Sequence, residues 1–415
     1  MSLPIRSRVL RHPLLSRGAS ALRRRREARA RRLAPFQVTA DFPGGNVDGV
    51  AILAPNHLRI TARPDLSPHP LWFYFCLENA AVPSVRVDLA NADECAPDAS
   101  DWRHVRPVFS GDGRHWQRVA RTNYVMDDEA GNYFTFTTPV VGLRTYVAYC
   151  FPYTPADLSA DLDRFAERDC PEFRRETLME SGEGRPLELV SVGPAARPAA
   201  SIWLVARQHA GETPPSFVLR GLLDWLTGPE AEAIEARRSV LFQIAPLVDV
   251  DGAHHGRFGK DEAPVDRNRD WRPEPVRPET AALAEAITRS WRQSPYDVLI
   301  DLHASHHGDT KAFFFGIDRG RSDLLHDRQT RLLSELEALS PEEVGFTSRD
   351  IVARAAPEGS LRAWSSRRHG SLALCLEMSY HLAQSGRHLN IKEYEAFGAA
   401  LGRALARTLS GGGGD

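Results

Sequence analysis

Two histidines and a glutamate stand in this chain as metal ligands would. His209-Ala-Gly-Glu212 follows the apolar run Ala200–Gln208, and His303 closes the apolar run "DVLIDLH", 91 positions after Glu212. Imidazole, carboxylate and a second imidazole make a catalytic zinc set, which keeps its fourth position open for water. A bare His-x-x-Glu pair is common by chance. Weight comes from position, because sites in open α/β sheets gather beyond the carboxyl ends of strands. His306 and His307, in "ASHHG", are rival third ligands. His303 is preferred, since a strand terminus holds a ligand more rigidly than the loop after it.

Two further patterns carry chemistry. "PVDRNRDW" (Pro264–Trp271) sets Asn268 beside Arg269. A guanidinium next to an amide can grip a carboxylate through several hydrogen bonds. In "LALCLEMS" (Leu372–Ser379) one acid, Glu377, sits in an apolar strand. An acid there must be paired, solvated or functional. Near a metal-activated water it would be the general base, with burial raising its pKa towards the working range. Each pattern alone also has a bland reading: a turn with a surface salt bridge, and a strand-end acid in an ion pair.

The elements that must hold these residues follow from hydrophobic periodicity. Before residue 153 the chain is strand-like. Leu71–Asn79, Tyr133–Thr138 and Arg144–Phe151 are β-branched and aromatic, with turn signals such as Gly111-Asp112-Gly113 and Gly131-Asn132 between them. Short strands at this spacing suggest a β-sandwich. Beyond it, Leu158, Leu162 and Phe165 recur at helical spacing. Strand-like runs (Ala200–Gln208, Ser239–Val248, Asp297–His303, Leu372–Ser379) then alternate with helical ones (Pro214–Gly228, Arg277–Gln293, Ile391–Leu409). That alternation marks an α/β domain with a largely parallel sheet. The expected division is a basic disordered tail over 1–35, an N-terminal β-sandwich domain over 36–153, a catalytic domain over 154–410 and a flexible tail over 411–415.

Composition narrows the classes. The 415 residues are 42% hydrophobic and 26% charged, the mix of an ordinary soluble globular protein. No apolar run approaches the roughly 18–20 residues of a bilayer crossing, which excludes a membrane-spanning reading. The net charge of −2 hides an asymmetry: residues 1–35 carry eleven Arg against Glu27, a net +10, so the remaining chain carries −12. An acidic body argues against a nucleic-acid partner, whose affinity rests on neutralised phosphates. The basic start lacks the apolar core of a secretory signal. Cys76, Cys95, Cys150, Cys170 and Cys375 are odd in number and without metal spacing, so they read as reduced thiols of a cytoplasmic protein.

Taken in order, His209/Glu212, Asn268-Arg269, His303 and Glu377 resemble the zinc metallocarboxypeptidases. The flanking text "QHAGETPPSFVLRGLLDWL", "PLVDVDGAHHGRFGKDEAPVDRNRDW", "DLHASHHGDTKAFFFG" and "LEMS" is similar to the cytosolic carboxypeptidase branch, in its bacterial form. That branch includes the protein deglutamylases and carries a β-sandwich before its catalytic domain. The resemblance covers residues 36–405. It implies the carboxypeptidase fold: α/β, with a mixed, largely parallel sheet flanked by helices. It also implies one Zn²⁺ per chain, held by His209, Glu212 and His303. Glu377 would activate water and later protonate the leaving amine. Asn268 and Arg269 would hold the terminal carboxylate of a peptide or protein substrate.

Some text departs from the family. Its usual "NPDG" reads "DVDG" here (Asp249–Gly252). The electrophilic Arg expected before the Asn-Arg pair is offered only by "GRFGKDEAP", which holds Arg257 and Lys260. Lys260 is favoured, because a lysine survives among 49 Arg and three Lys and glycine precedes it. Either would act electrostatically, and Arg257 is kept as a substrate-binding candidate. No Tyr occurs between Ser305 and Glu377, so the mobile Tyr of the digestive enzymes has no counterpart assigned. An acidic C-terminal side chain needs a cation in its pocket, and Arg349, Arg354, Arg362, Arg367 and Arg368 all precede Glu377. Two alternatives stand beside this reading. One is a zinc amidohydrolase that removes an acyl group from a small amino acid, like the desuccinylases and aspartoacylases. The other is an inactive binding module.

Overall fold

Strands dominate the first part of the chain: β1 Gln37–Thr39, β2 Asp48–Ala54, β3 His57–Thr61, β4 Tyr74–Glu78, β5 Ser84–Leu89, β6 Val108–Ser110, β7 Gln117–Arg118, β8 Thr122–Val125, β9 Tyr133–Pro139 and β10 Arg144–Ala148. The computed structural model describes residues 35–410, apart from 97–98, 128–130, 318–319 and 321. Apart from Pro35, the expected tails over 1–35 and 411–415 lie outside the described residues.

These strands form two five-stranded sheets, ordered β1-β4-β10-β6-β7 and β2-β3-β5-β9-β8. Pairing is antiparallel except between β3 and β5. The period of two decides which residues go inward. In β9, Phe134, Phe136 and Thr138 are buried while Thr137 and Pro139 face out. Phe73 stacks on Phe136 at 6.0 Å, and Trp102 meets Phe134 at 4.6 Å. These rings close a β-sandwich core. Strand β4 is buried on both faces, because Phe42 (4.8 Å) and Trp116 (5.8 Å) cover the outer side of Tyr74.

The second part begins with α1 Pro155–Ala166, whose N-cap Thr154 forms a capping box with Asp157. There follow β11 Phe173–Glu180, β12 Pro186–Val192, β13 Ala200–Ala206, α2 Pro214–Leu226, α3 Ala231–Ser239, β14 Val240–Ala245 and α4 Val250–His255. The remaining elements are α5 Pro278–Gln293, β15 Val298–Ala304, β16 Phe313–Phe315, α6 Asp323–Leu339, β17 Ile351–Val352, α7 Leu361–His369, β18 Leu372–Met378 and α8 Ile391–Ser410. The strands make one eight-stranded mixed sheet, ordered β11-β12-β14-β13-β15-β18-β16-β17. Its centre, β14-β13-β15-β18, is parallel. The joins β11·β12, β12·β14 and β16·β18 are antiparallel.

The central strands are buried on both faces, as a sheet covered by helices requires. Trp203, Val205 and Leu299 pack with Leu283 and Ile287 of α5 and with Leu361 of α7. Ile202, Leu204, Ile300 and Leu302 point to the opposite face, into a core shared with α2, α6 and α8. That core runs on without a break into the sandwich, through Phe151, Tyr149 and Phe73. Helices α2 and α8 cross at contact: a Cβ on Gly398 would lie 1.8 Å from Val218 O, and one on Gly221 would lie 2.0 Å from Glu395 O. Only glycine permits that approach.

Candidate active site

Strand ends and loops converge at the carboxyl edge of the parallel strands. After β13 the chain turns through Arg207, a left-handed residue (φ 60°), into the loop that carries His209 and Glu212. The buried Arg207 guanidinium donates to Ala210 O (3.1 Å from Nε), Ser216 Oγ (2.7 Å) and Tyr153 O (3.2 Å). The loop is thus tied down by its own cation. On its other side Gly211 N donates to Phe258 O at 2.8 Å, and a Cβ on Gly211 would lie 2.7 Å from the Phe258 ring.

His209, Glu212 and His303 are only 4%, 1% and 3% exposed. Glu212 lies between the two imidazoles, with Oε1 2.8 Å from His209 Nδ1 and Oε2 2.7 Å from His303 Nδ1. One ligand atom from each of the three lies within 4.8 Å of the others. The second ring nitrogens meet carboxylates: His209 Nε2 is 3.0 Å from both oxygens of Asp266, and His303 Nε2 is 3.0 Å from Asp301 Oδ2. A metal-bound imidazole gives its other N–H to such a partner, which fixes tautomer and ring orientation. Two Nδ1 atoms, a carboxylate and two outer acids therefore fit a zinc ion.

The charges in this cluster depend on one another. Burial opposes ionisation of Glu212, yet the flanking imidazoles hold its carboxyl well below the usual range. Burial likewise opposes charge on His209, but Glu212 and Asp266 push it up to about 9. His303 rises well above its ordinary value through Asp301 and Glu212.

Strand register supplies the fourth residue. The β15–β18 ladder pairs His303 with Glu377 and Asp301 with Cys375. Glu377 therefore stands on the rung beside His303, its side chain on the same face of the sheet. Burial pushes its carboxyl up to about 7; Glu212 adds to the effect, while His303 and Lys260 oppose it. The Lys260 ammonium lies 3.8 Å from Glu212 Oε1. Burial works against its charge, but Glu212 and Glu377 raise its pKa overall.

Asp266 caps the turn Arg267–Arg269, accepting from Asn268 N at 2.6 Å and from Asp261 N at 2.7 Å. One acid thus backs His209 and shapes the turn that presents Asn268 and Arg269. Asn268 is buried, its Nδ2 2.9 Å from His303 Nε2 and its Oδ1 accepting from Leu361 N at 2.9 Å. Arg269 is exposed, and its Nη1 donates to Asn268 O at 2.7 Å.

Arg257 is not brought to this cluster. It lines a separate cavity of about 410 Å³ with Asn46, Arg63, Asp65 and His255. The rival ligands stand apart as well: His306 is exposed, and His307 is buried against Trp102 at 5.9 Å. The "DVDG" departure has a structural partner. Asp249 accepts from Gly252 N at 2.9 Å and pairs with Arg267 at 2.9 Å, and Arg267 also meets Glu262 at 2.9 Å. Sequence reasoning passed over Asp266, Asp301 and Arg207. Asp301 had a readable signal, an acid inside an apolar strand two residues before His303 and so on its face.

A buried imidazole–carboxylate–imidazole set with a further carboxylate on the adjacent rung is an arrangement that a metal-dependent hydrolase can use. Residues 38–150 match the family model of the cytosolic carboxypeptidase N-terminal domain, and residues 158–274 match that of the zinc carboxypeptidases. Together these matches span more than half of the chain. Human cytosolic carboxypeptidase 6 is 28% identical over 392 residues, an alignment covering 89% of this chain and 77% of that protein. The crystal structure of a metallo-carboxypeptidase from Burkholderia cenocepacia superimposes with a TM-score of 0.77 at 25% identity, covering 90% of this chain and 99% of that one. A metallo-carboxypeptidase from Pseudomonas aeruginosa, solved in complex with (2-guanidinoethylmercapto)succinic acid, superimposes at 0.75 with 23% identity. The chain belongs to the zinc carboxypeptidase family, in its cytosolic carboxypeptidase branch, and is a zinc-dependent peptidase. This membership sets aside the amidohydrolase and the inactive-module alternatives.

Proposed function

We propose that residues 154–410 are the catalytic domain of a carboxypeptidase that removes acidic C-terminal residues from cytoplasmic peptides or proteins, with residues 36–153 as its N-terminal domain. The observation that carries the site assignment is the convergence of His209, Glu212 and His303 with Glu377 one rung away. In this reading the three residues hold one Zn²⁺ per chain. That ion, when bound, supplies Lewis acidity towards water and the scissile carbonyl. Glu377, whose pKa of about 7 suits proton exchange near neutrality, takes a proton from the attacking water and returns it to the leaving amine. Lys260 faces the charge that develops on the carbonyl oxygen. Arg269, exposed beside Asn268, receives the terminal carboxylate.

The acidic preference rests on Arg362. Of the five candidate arginines it alone is buried; Arg349, Arg354, Arg367 and Arg368 are exposed. Its guanidinium lies 5.8 Å from the Phe315 ring and donates to Gly316 O and Arg354 O. Phe315 pairs in the ladder with Cys375, two residues before Glu377 on the same face, and Arg362 lowers the pKa of that thiol against the stronger effect of burial. A cation at this depth suits a Glu or Asp side chain. A C-terminal peptide library tests the reading. Glu- and Asp-terminated free acids should be cleaved best, and C-terminal amides should resist. Arg362→Gln should lower the Glu-over-Leu ratio of kcat/KM about 10–100-fold, the range of a charge-assisted hydrogen bond. Equal cleavage of acidic and neutral termini would sink the acidic assignment.

A further inference from the structure

We propose that the Asp65–Leu66–Ser67 segment of the sandwich is a positioning element for Lys260, so that the N-terminal domain contributes to turnover through one loop. The proposal rests on the assignment of Lys260 as the electrostatic partner of the reacting carbonyl. The loop after α4 carries Lys260 and has no regular structure between Gly256 and the turn at Arg267. Its outer side is hydrogen-bonded to the sandwich at three successive points. Phe258 N donates to Asp65 Oδ2 at 2.6 Å, Ser67 Oγ donates to Lys260 O at 2.5 Å, and Ala263 N donates to Leu66 O at 3.0 Å. Asp65 Oδ1 also accepts from Ser67 N at 2.7 Å, which closes the segment into a compact turn.

The inner side of the same loop bears on the ligand residues. Phe258 O accepts from Gly211 N, and Asp261 N donates to Asp266 Oδ2. Gly259 adopts φ 83°, and a Cβ there would lie 2.9 Å from Ala210 N. The backbone on either side of Lys260 is therefore clamped between the sandwich and the His209–Glu212 loop. The ammonium itself sits on a four-carbon stem that is partly exposed and costs rotamer entropy to hold in place. Fixing its carbonyl limits where the Nζ atom can reach. Ser67, only 6% exposed, bonds that carbonyl through its side chain. The segment's hydrogen bonds across to this loop go to Phe258, Lys260 and Ala263, so it acts on the site through the Lys260 loop.

The test is a double-mutant cycle in the full-length, zinc-loaded chain, with kcat and KM measured on a free-acid peptide. Ser67→Ala should lower kcat about 3–10-fold with KM and zinc content unchanged, as expected for loss of one buried hydrogen bond felt in the transition state. Asp65→Asn, which weakens the neighbouring bond to Phe258 N, should act in the same direction. Ser67→Thr, which keeps the hydroxyl, should restore kcat. In a Lys260→Met background, Ser67→Ala should have no further effect on kcat, because the group it positions is gone. An equal loss in both backgrounds, or an unchanged kcat in Ser67→Ala, overturns the proposal while leaving the role of Lys260 intact. An unchanged kcat in Lys260→Met alone overturns that role and the proposal with it.

Discussion

Replacing Asp301 by Asn changes one oxygen to nitrogen behind His303, a proposed metal ligand, and its effect follows from the contacts around it. Asp301 Oδ1 accepts from Gln208 Nε2 at 2.7 Å, and Gln208 Oε1 in turn accepts from Trp271 Nε1 at 2.8 Å. An amide at 301 keeps that chain only with its own oxygen towards Gln208. Its NH₂ then faces His303 Nε2. The Asn268 NH₂ already lies 2.9 Å from Nε2, so with the Asp301 carboxylate gone no acceptor is left there for a proton, which moves to Nδ1, the atom turned towards Glu212. That tautomer cannot ligate through Nδ1. Loss of such an outer carboxylate typically weakens metal affinity 10–100-fold, or about 1.4–2.7 kcal/mol. Asp266→Asn should differ in kind. Both Asp266 oxygens accept backbone N–H groups, from Asn268 and Asp261. A single amide oxygen cannot serve both, so the turn that presents Arg269 loosens as well. The assay is zinc competition against a fluorescent chelator, followed by kinetics at saturating zinc. Asp301→Asn should bind zinc 10–100-fold more weakly, yet keep KM within about twofold, since no substrate contact is lost. Asp266→Asn should weaken zinc and also raise KM about fivefold, the value of one hydrogen bond. Wild-type zinc affinity in Asp301→Asn, or a raised KM in that variant with none in Asp266→Asn, would refute the division of labour.

Glu377 works deprotonated and burial lifts it to about 7, so kcat/KM should rise with pH along an acid limb; a nearby dication favours the carboxylate and can only move that limb lower, and a limb that survives in Glu377→Gln belongs to another group. Glu377→Gln itself should keep zinc and lose kcat by about 10²–10⁴-fold or more. His209 is raised to about 9 and His303 is raised too, so zinc must displace protons that these imidazoles hold more tightly than a free one. Zinc binding should then release protons and weaken as pH falls, read by calorimetry in buffers of different ionisation enthalpy. Gly398→Ala forces a methyl against Val218 O and should cost about 1–3 kcal/mol in urea unfolding, with zinc affinity unaffected.

The residues proposed to meet a metal or a reacting group were legible because their chemistry is unusual for their place. A His at a strand end and a lone acid in "LALCLEMS" stand out against apolar neighbours. The strands β13, β15 and β18 and the helices α2, α5 and α8 appear within two residues of their expected limits, since each is a long periodic or continuously apolar run. Of the sandwich strands only β4, β9 and β10 were read from their β-branched and aromatic runs; β1–β3 and β5–β8 were not, nor was the parallel pairing of β3 with β5, which depends on chain path and not on local pattern. Asp266 was hidden for a different reason. It lies in a turn where an acid is unremarkable, and its significance comes from a histidine 57 positions away. Arg207 was hidden because its left-handed backbone and buried guanidinium leave no mark in composition. Lys260 was favoured over Arg257 in the sequence only by composition and a preceding glycine, whereas the fold sets Lys260 3.8 Å from Glu212 and Arg257 on another cavity.

The register of β15 against β18 has a consequence for how such a chain can diverge. His303 and Glu377 are neighbours through main-chain hydrogen bonds of the ladder, so their separation is insensitive to the identity of the side chains around them. Arg269 and Arg362, the proposed grips on the substrate, instead depend on a short turn and the first turn of a helix. In the proposed reading, drift there changes what is gripped without altering the spacing at which a bond is broken. A library that randomises residues 354–358 and 362 while leaving both strands and the Lys260 loop untouched should therefore yield altered terminal-residue preferences more readily than dead enzymes.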